Sequence, residues 1–424
     1  MLAPITVRYA FRPVRRSLAT GQVADLFGLA DEEPEHTVAA GVALDVRPGD
    51  LVLFTGPSGS GKSSLLRAVA AQLGAVDAAA LSLPDAPLID ALPGPIEERL
   101  AALAGCGLSE ARLLLRTPAE LSEGQRYRFR LAYASQCGVR SPECGMKTDQ
   151  PSSTPHSGLR TPHFMMADEF TATLDRTLAK VVAFNLRKLV TRTGVGVLAA
   201  TTHDDVAADL NPDVWVRCVG DGRVGVERRT PEARRISFAG ELRVADGTRA
   251  DWPHFARWHY RSHALAFVTR VVVLWHGDER VGVCVFGTPA ASLALRTKFF
   301  GLTNPRSRVA LAALNAQLWV LQRVVLHPPY RGAGIAARFV REACETCPVR
   351  WIETLTAMGH ANPFFERAGF VRVGVVRKDR DTPPGQYGSR SGASGVTTRR
   401  NRFSDPVYYV FDNRVPREEG RRET

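Results

Sequence analysis

The stretch DLVLFTGPSGSGKSS, residues 50–64, decides the fold of the first half of the chain. Asp50–Thr55 is rich in strand formers, and Leu65–Leu73 beyond it has the apolar spacing of a helix. Between them, Gly56, Pro57, Ser58, Gly59, Ser60, Gly61, Lys62 and Ser63, followed by Ser64, fit the pattern G-x-x-x-x-G-K-[ST]. The glycines let successive backbone N–H groups turn inward around phosphates. Lys62 neutralises the β- and γ-oxygens, and the Ser63 hydroxyl ligates Mg²⁺. A strand before the loop and a helix after it are the context that separates this motif from a chance glycine-rich turn.

Downstream, Phe164-Met-Met-Ala-Asp168-Glu169 reads as an apolar strand ending in two carboxylates. Asp168 suits the Mg²⁺ shell, and Glu169 suits a general base that orients the attacking water. Leu121-Ser122-Glu123-Gly124-Gln125 resembles the signature of the ABC-type ATPases, Thr173-Leu174-Asp175 their D-loop, and His203 their switch histidine. Order and spacing agree over residues 35–220, and the resemblance is to an ABC-type ATPase domain. It implies ATP and Mg²⁺ as cofactors, with Glu169 and His203 as catalytic residues. Ser122, Gly124 and Gln125 would face the γ-phosphate of a second protomer. One such domain per chain then implies an ATP-dependent homodimer. Three features depart from the family pattern. Ser122 and Asp168 are separated by an inserted stretch, residues 138–162, rich in Pro, Ser, Thr and Gly. No glutamine occurs between Gln72 and Gln125, so the Q-loop glutamine has no counterpart. Phe170 replaces the proline after the acidic pair. Phe27 is a weak candidate for the adenine-stacking aromatic, with core packing the readier account.

The second half carries its own turn of this kind. Leu321–Leu326 reads as a strand, and Arg331, Gly332, Ala333, Gly334, Ile335 and Ala336 lead into a helix over Gly334–Thr346. This resembles the pyrophosphate-binding motif of the GNAT N-acetyltransferases, Q/R-x-x-G-x-G/A, where helix-start N–H groups hold coenzyme A. Asn362-Pro-Phe-Phe365-Glu-Arg-Ala-Gly369-Phe370 resembles the family's closing stretch. The likeness covers roughly residues 250–412 and implies an α+β acyltransferase fold with acetyl-CoA or another acyl-CoA as cofactor. The tyrosine that protonates the leaving thiolate in that family is Phe365 here. A phenyl ring donates no proton, which leaves Tyr330 and His327 beside the loop, an unassisted thiolate, or a different donor. The run Phe255–Ser262, with Val281–Gly287, also resembles the phage Mom-type relatives that modify adenine in DNA, although packing is the more usual account of such an aromatic cluster.

The chain has 424 residues, enough for two or three domains at roughly 150 residues each. The alternation of strands and helices predicts an α/β architecture with a parallel sheet in the first part. The domains are expected at 1–235 and 236–414, with a flexible loop at 379–398 and a disordered tail at 415–424. No apolar run approaches the ~18 residues of a membrane helix, and Met1–Thr20 lacks the apolar core of a signal peptide. Seven cysteines with no export signal suit a reduced, cytoplasmic setting. Cys137 and Cys144 with His156 and His163 are too irregularly spaced for a zinc site.

Lys and Arg outnumber Asp and Glu by 55 to 43. That excess, with Arg228/Arg229, Arg234/Arg235 and Arg399/Arg400/Arg402, favours a phosphate-bearing partner such as nucleic acid. The leading expectation is a cytoplasmic ABC-type ATPase fused to an acyltransferase-like domain that acts on or with nucleic acid. A second reading is an N-acetyltransferase of a small amine or protein, regulated by ATP. A transporter's nucleotide-binding subunit, or a GNAT-like domain kept only for binding, stands behind these.

Overall fold

The computed structural model describes residues 2–10, 17–28, 35–137, 164–232, 235–259, 264–265, 267–302, 307–377 and 405–414. The expected loops 138–162 and 379–398, the 415–424 tail, and Arg234, Arg399, Arg400, Arg402, Tyr260 and Ser262 lie outside the described residues. So do Cys144, His156 and His163. Two compact units emerge: Met1–Pro93 with Leu115–Arg235, and Gly94–Leu114 with Ile236–Thr424.

The first unit carries strands β1 (Ile5–Ala10), β2 (Glu35–Val42), β3 (Leu51–Thr55), β4 (Val76–Asp77), β5 (Phe164–Ala167), β6 (Gly196–Thr201), β7 (Val214–Gly220) and β8 (Arg223–Arg228). The helices up to this point are α1 (Leu18–Leu26), α2 (Lys62–Leu73), α3 (Leu88–Ala91), α4 (Ile96–Gly105), α5 (Ala111–Leu114), α6 (Glu123–Cys137), α7 (Arg176–Thr193) and α8 (Ala207–Leu210). Of these, α4 and α5 group with the second unit.

β3 is central, pairing in parallel with β6 on one side and β7 on the other, and it is buried along its whole length. A strand covered on both faces needs an apolar run, and Leu51–Phe54 supplies one. Leu65, Leu66 and Val69 of α2 pack with Val52 and Phe54 in one core. The sheet order is β4-β5-β6-β3-β7-β8. Its one departure from the expected parallel arrangement is β8, antiparallel to β7. The cause is local: Asp221 and Gly222 both adopt positive φ, 49° and 74°, as a two-residue hairpin turn of the Asp-Gly type requires. β1 and β2 form a separate antiparallel pair.

The second unit adds strands β9 (Leu242–Gly247), β10 (Val268–His276), β11 (Glu279–Gly287), β12 (Leu318–Leu326), β13 (Trp351–Thr356), β14 (Val371–Val375) and β15 (Val407–Asp412). Helices α9 (Trp252–Ala256), α10 (Ala294–Phe300), α11 (Arg308–Gln317), α12 (Ile335–Glu345) and α13 (Phe364–Ala368) complete it. The order is β14-β15-β13-β12-β11-β10-β9, antiparallel throughout except for β12–β13. Valines 271 and 273 of β10 and 283 and 285 of β11 face Trp252 and Phe255 of α9. The β12–β13 register runs only from Leu318↔Trp351 to Val320↔Glu353. Both strands continue unpaired with each other beyond that point, so they diverge toward the Arg331 turn. α10 is fixed by a buried fork: Arg296 donates to both carboxylate oxygens of Glu353 at 2.7 and 2.9 Å, and Tyr408 donates to the same carboxylate.

Candidate functional site

The phosphate loop closes between β3 and α2. Gly61 caps α2 with φ 85°, and a Cβ there would stand 1.8 Å from Val38. At Gly56, φ 144°, a Cβ would meet the Cys218 carbonyl oxygen at 2.0 Å. These two positions accept no side chain, so the loop backbone approaches β2 and β7 closely and stays open on its other side. The opening is a pocket of about 400 Å³. Ser58, Gly59, Gly61, Lys62, Ser63 and Ser64 line it together with Asp168 and Glu169.

Inside, Lys62 Nζ donates to Pro57 O at 2.7 Å. The Ser63 hydroxyl donates to Asp168 Oδ1 at 2.9 Å, and Arg67 Nη2 lies 3.1 Å from Asp168 Oδ2. The buried Ser60 hydroxyl has no partner among the described residues. Glu169 sits at φ 51°, a strained conformation for a residue with a side chain and one that clusters at functional positions. Its N–H donates to Asp168 Oδ1, and the Phe170 N–H donates to Ala200 O. Phe170 is fully buried.

Sequence reasoning missed three contributors. Tyr9 of β1 lines the pocket and donates to the Ser64 hydroxyl at 2.6 Å. Thr201, the last residue of β6, and Thr202 after it line it as well. An aromatic residue on an N-terminal strand was the available signal, but Tyr9 precedes the motif by too long a stretch for spacing to flag it. Phe27 follows α1 at 75% exposure, which corrects the expectation that it packs in the core, and it does not line the pocket.

Other expected residues stand elsewhere in this unit. Ser122 and Gln125 close a reciprocal cap at the start of α6, the Ser122 N–H donating to Gln125 Oε1 at 3.1 Å. Gly124 packs against Thr173, and Tyr127 of α6 donates to Asp168 O. None of Ser122, Gly124 and Gln125 lines the Lys62 pocket. His203 is exposed, its N–H held by the Thr201 hydroxyl, and it too lies outside the lining.

In the second unit, Gly332 and Gly334 take φ 88° and 79°, so the turn delivers the first N–H groups of α12 to one open end. Ala333 and Ile335 are buried beneath it. Arg331 points inward: Nε donates to Leu326 O at 3.0 Å and Nη2 to Trp258 O at 3.3 Å. Burial lowers its pKa, opposed by the Glu110 carboxylate. Tyr330 is buried, its hydroxyl 2.7 Å from His276 Nδ1, and His276 Nε2 reaches Glu241 at 3.0 Å. His327 packs edge-on against Trp258. Burial, then His254 and Arg257, hold its pKa below the ordinary histidine value. Phe365 is buried against Phe364, Phe370 and Tyr409.

Known proteins match different parts of the chain. Residues 292–382 match the family model described as an acetyltransferase (GNAT) domain. The chain is 30% identical over 241 residues to an aliphatic sulfonates import ATP-binding protein (SsuB 2) of Streptomyces avermitilis, covering 51% of this chain and 86% of that protein. It is 27% identical to the lipoprotein-releasing system ATP-binding protein LolD of Novosphingobium aromaticivorans, covering 47% of this chain and 92% of the relative. A solved dimeric ATP-binding cassette with ADP and phosphate aligns at 19% identity and a TM-score of 0.34, over 54% of this chain and 97% of that one. The chain belongs to the ABC-type ATP-binding proteins and carries a GNAT domain in its C-terminal part. It is an ATPase with an acyltransferase domain. The resemblance to Mom-type relatives finds no support in these proteins.

Proposed function

We propose that the Lys62 pocket binds ATP with Mg²⁺ and hydrolyses it in an ATP-dependent homodimer, and that this cycle serves acyl transfer by the second unit. The observation that carries the reading is convergence: Lys62, Ser63, Asp168 and Glu169, from two distant stretches of sequence, meet in one pocket. The partnerless Ser60 hydroxyl and the sites where no Cβ fits suit a phosphate chain drawn against the loop. Ser63 and Asp168 oxygens lie 2.9 Å apart, close enough to hold one Mg²⁺ together. Glu169 takes the proton of the attacking water. Tyr9 offers a ring beside the loop for a base to stack on. Ser122 and Gly124, which do not line their own chain's pocket, are free to complete that of a second copy.

In the second unit the diverging β12 and β13 expose backbone amide edges along one side. An acyl-CoA, with its amide-bearing arm in that gap and its pyrophosphate on the α12 N–H groups, fits the backbone there. No hydroxyl stands at Phe365, and Tyr330 is engaged with His276, so neither of these two positions supplies the acid for the leaving thiolate. The acceptor is an amine on a small molecule or protein. The relatives' names favour a second reading, a nucleotide-binding subunit of a transporter. Against a nucleic-acid acceptor, Arg228 is committed to Asp50 at 2.9 Å and Arg229 lies 3.4 Å from Glu227.

The test is ATP turnover by the purified chain with Mg²⁺, beside light scattering of Glu169→Gln with and without ATP. The reading expects turnover in the parent chain and an ATP-dependent doubling of mass in the variant. A monomer under both conditions would remove the shared-pocket account. Mass spectrometry of amine panels incubated with acetyl-CoA then reads the second unit.

A further inference from the structure

Helix α6 carries Arg126 and Arg130 one turn apart, a spacing that puts both side chains on one face. Together they line an open cleft of about 510 Å³, facing Ala80–Leu83 and the turn at Pro118 and Ala119. Arg126 is half satisfied: its Nε donates to Pro118 O and its Nη2 to Leu121 O, each at 3.2 Å. Arg130 is not, because its Nε is fully buried and meets no acceptor among the described residues. Among the described residues no carboxylate lines the cleft, and its walls are otherwise small or apolar apart from Ser82. A buried cationic donor without an acceptor is costly, and the usual resolution is an anion seated against it. Two guanidinium groups with no acidic neighbour in the lining set the charge that anion should carry.

We propose that this cleft is a binding site for a compact, doubly charged oxyanion, a free dicarboxylate or phosphate, held between Arg126 and Arg130. Its lining shares no residue with the Lys62 pocket, so the site is separate from nucleotide binding. The guanidinium groups of Arg130 and Arg126 supply the charge and the N–H donors at the cleft, and Ser82 supplies a hydroxyl.

Isothermal titration of the full chain with succinate and, separately, with inorganic phosphate tests it. The proposal expects Arg130→Gln to weaken binding of the preferred probe by about tenfold or more, the equivalent of one charged hydrogen bond. It expects Lys62→Ala to leave succinate binding intact. Phosphate binding that survives Lys62→Ala and falls with Arg130→Gln would make phosphate the ligand; a heat with succinate alone would make it a carboxylate. Ala119 is exposed on the rim, so Ala119→Glu offers a carboxylate from the wall itself, expected to block the probe and raise the melting temperature. Equal titrations for parent and Arg130→Gln, or binding lost only with Lys62→Ala, overturn the proposal. An Ala119→Glu chain that binds the probe as the parent does overturns it too.

Discussion

Two glycine turns in this chain do the same thing with the backbone and opposite things with charge. At residues 56–63 and 331–336 a strand ends, a glycine at φ near 80° caps a helix, and the first N–H groups of that helix face outward. In the first turn the cation is the opening residue of the helix, Lys62, and it lines the pocket. In the second the cation precedes the glycines, and Arg331 turns back to bind Leu326 O and Trp258 O. Ile335 and Ala336 then open α12 without charge. A glycine turn thus sets where an anion can approach. Whether a fixed positive charge meets it depends on the neighbouring side chain, which is as readily spent on holding the turn in shape.

The contrast can be broken by substitution. Glu169→Gln carries the largest expected effect, since a general base contributes about 10²–10⁴-fold; turnover should fall by that much while ATP binding by fluorescence titration holds. Lys62→Ala should weaken ATP binding about a hundredfold, as loss of a charge-assisted contact does, and should cost less stability than Arg331→Ala because it removes a single intramolecular hydrogen bond, to Pro57 O. Arg331→Ala should do the reverse. It removes two hydrogen bonds from a charged, buried donor and should cost about 2–3 kcal/mol by urea unfolding, while coenzyme A affinity changes less than a Lys62-type loss. If Arg331→Ala instead leaves stability alone and abolishes coenzyme A binding, the two turns work alike and the comparison fails.

A smaller effect sits just past the far end of α12. Burial pushes the Cys347 thiol up to about 11, with Arg270 opposing. The unfolded thiol ionises near 9, so between these values the unfolded chain has released a proton that the folded chain keeps. Stability of the second unit should therefore fall as pH rises from about 9 to about 11, and Cys347→Ser should flatten that slope in pH-dependent unfolding. Iodoacetamide should leave Cys347 unmodified at pH 8 until the chain is unfolded.

Much of the site was legible because its chemistry is written in contiguous runs. Gly56–Ser63 and Phe164–Glu169 each place a strand and its reactive ends in a few residues, and the fold brings the two runs together. Tyr9 was invisible for the opposite reason: it reaches the pocket only through the pairing of β1 with β2. The inward turn of Arg331 was equally hidden, because the carbonyl it binds on Trp258 is far away in sequence. α10 and β9 escaped notice as well. The former is tied down by Arg296 to Glu353, a pair that no local periodicity announces, and the latter is a partly buried edge strand.

By itself, then, the sequence determined the two nucleotide-type turns, the strands and helices that flank them, and the identity of the groups able to meet phosphate. Backbone freedom at glycine and apolar periodicity act over a few residues, and a short window contains them. Only the tertiary structure decided which cation faces a ligand and which one braces a loop, where β12 parts from β13, and that Arg130 Nε meets no acceptor among the described residues. Each of these depends on what long-range packing places beside a side chain, and that neighbour is not written next to it in the chain.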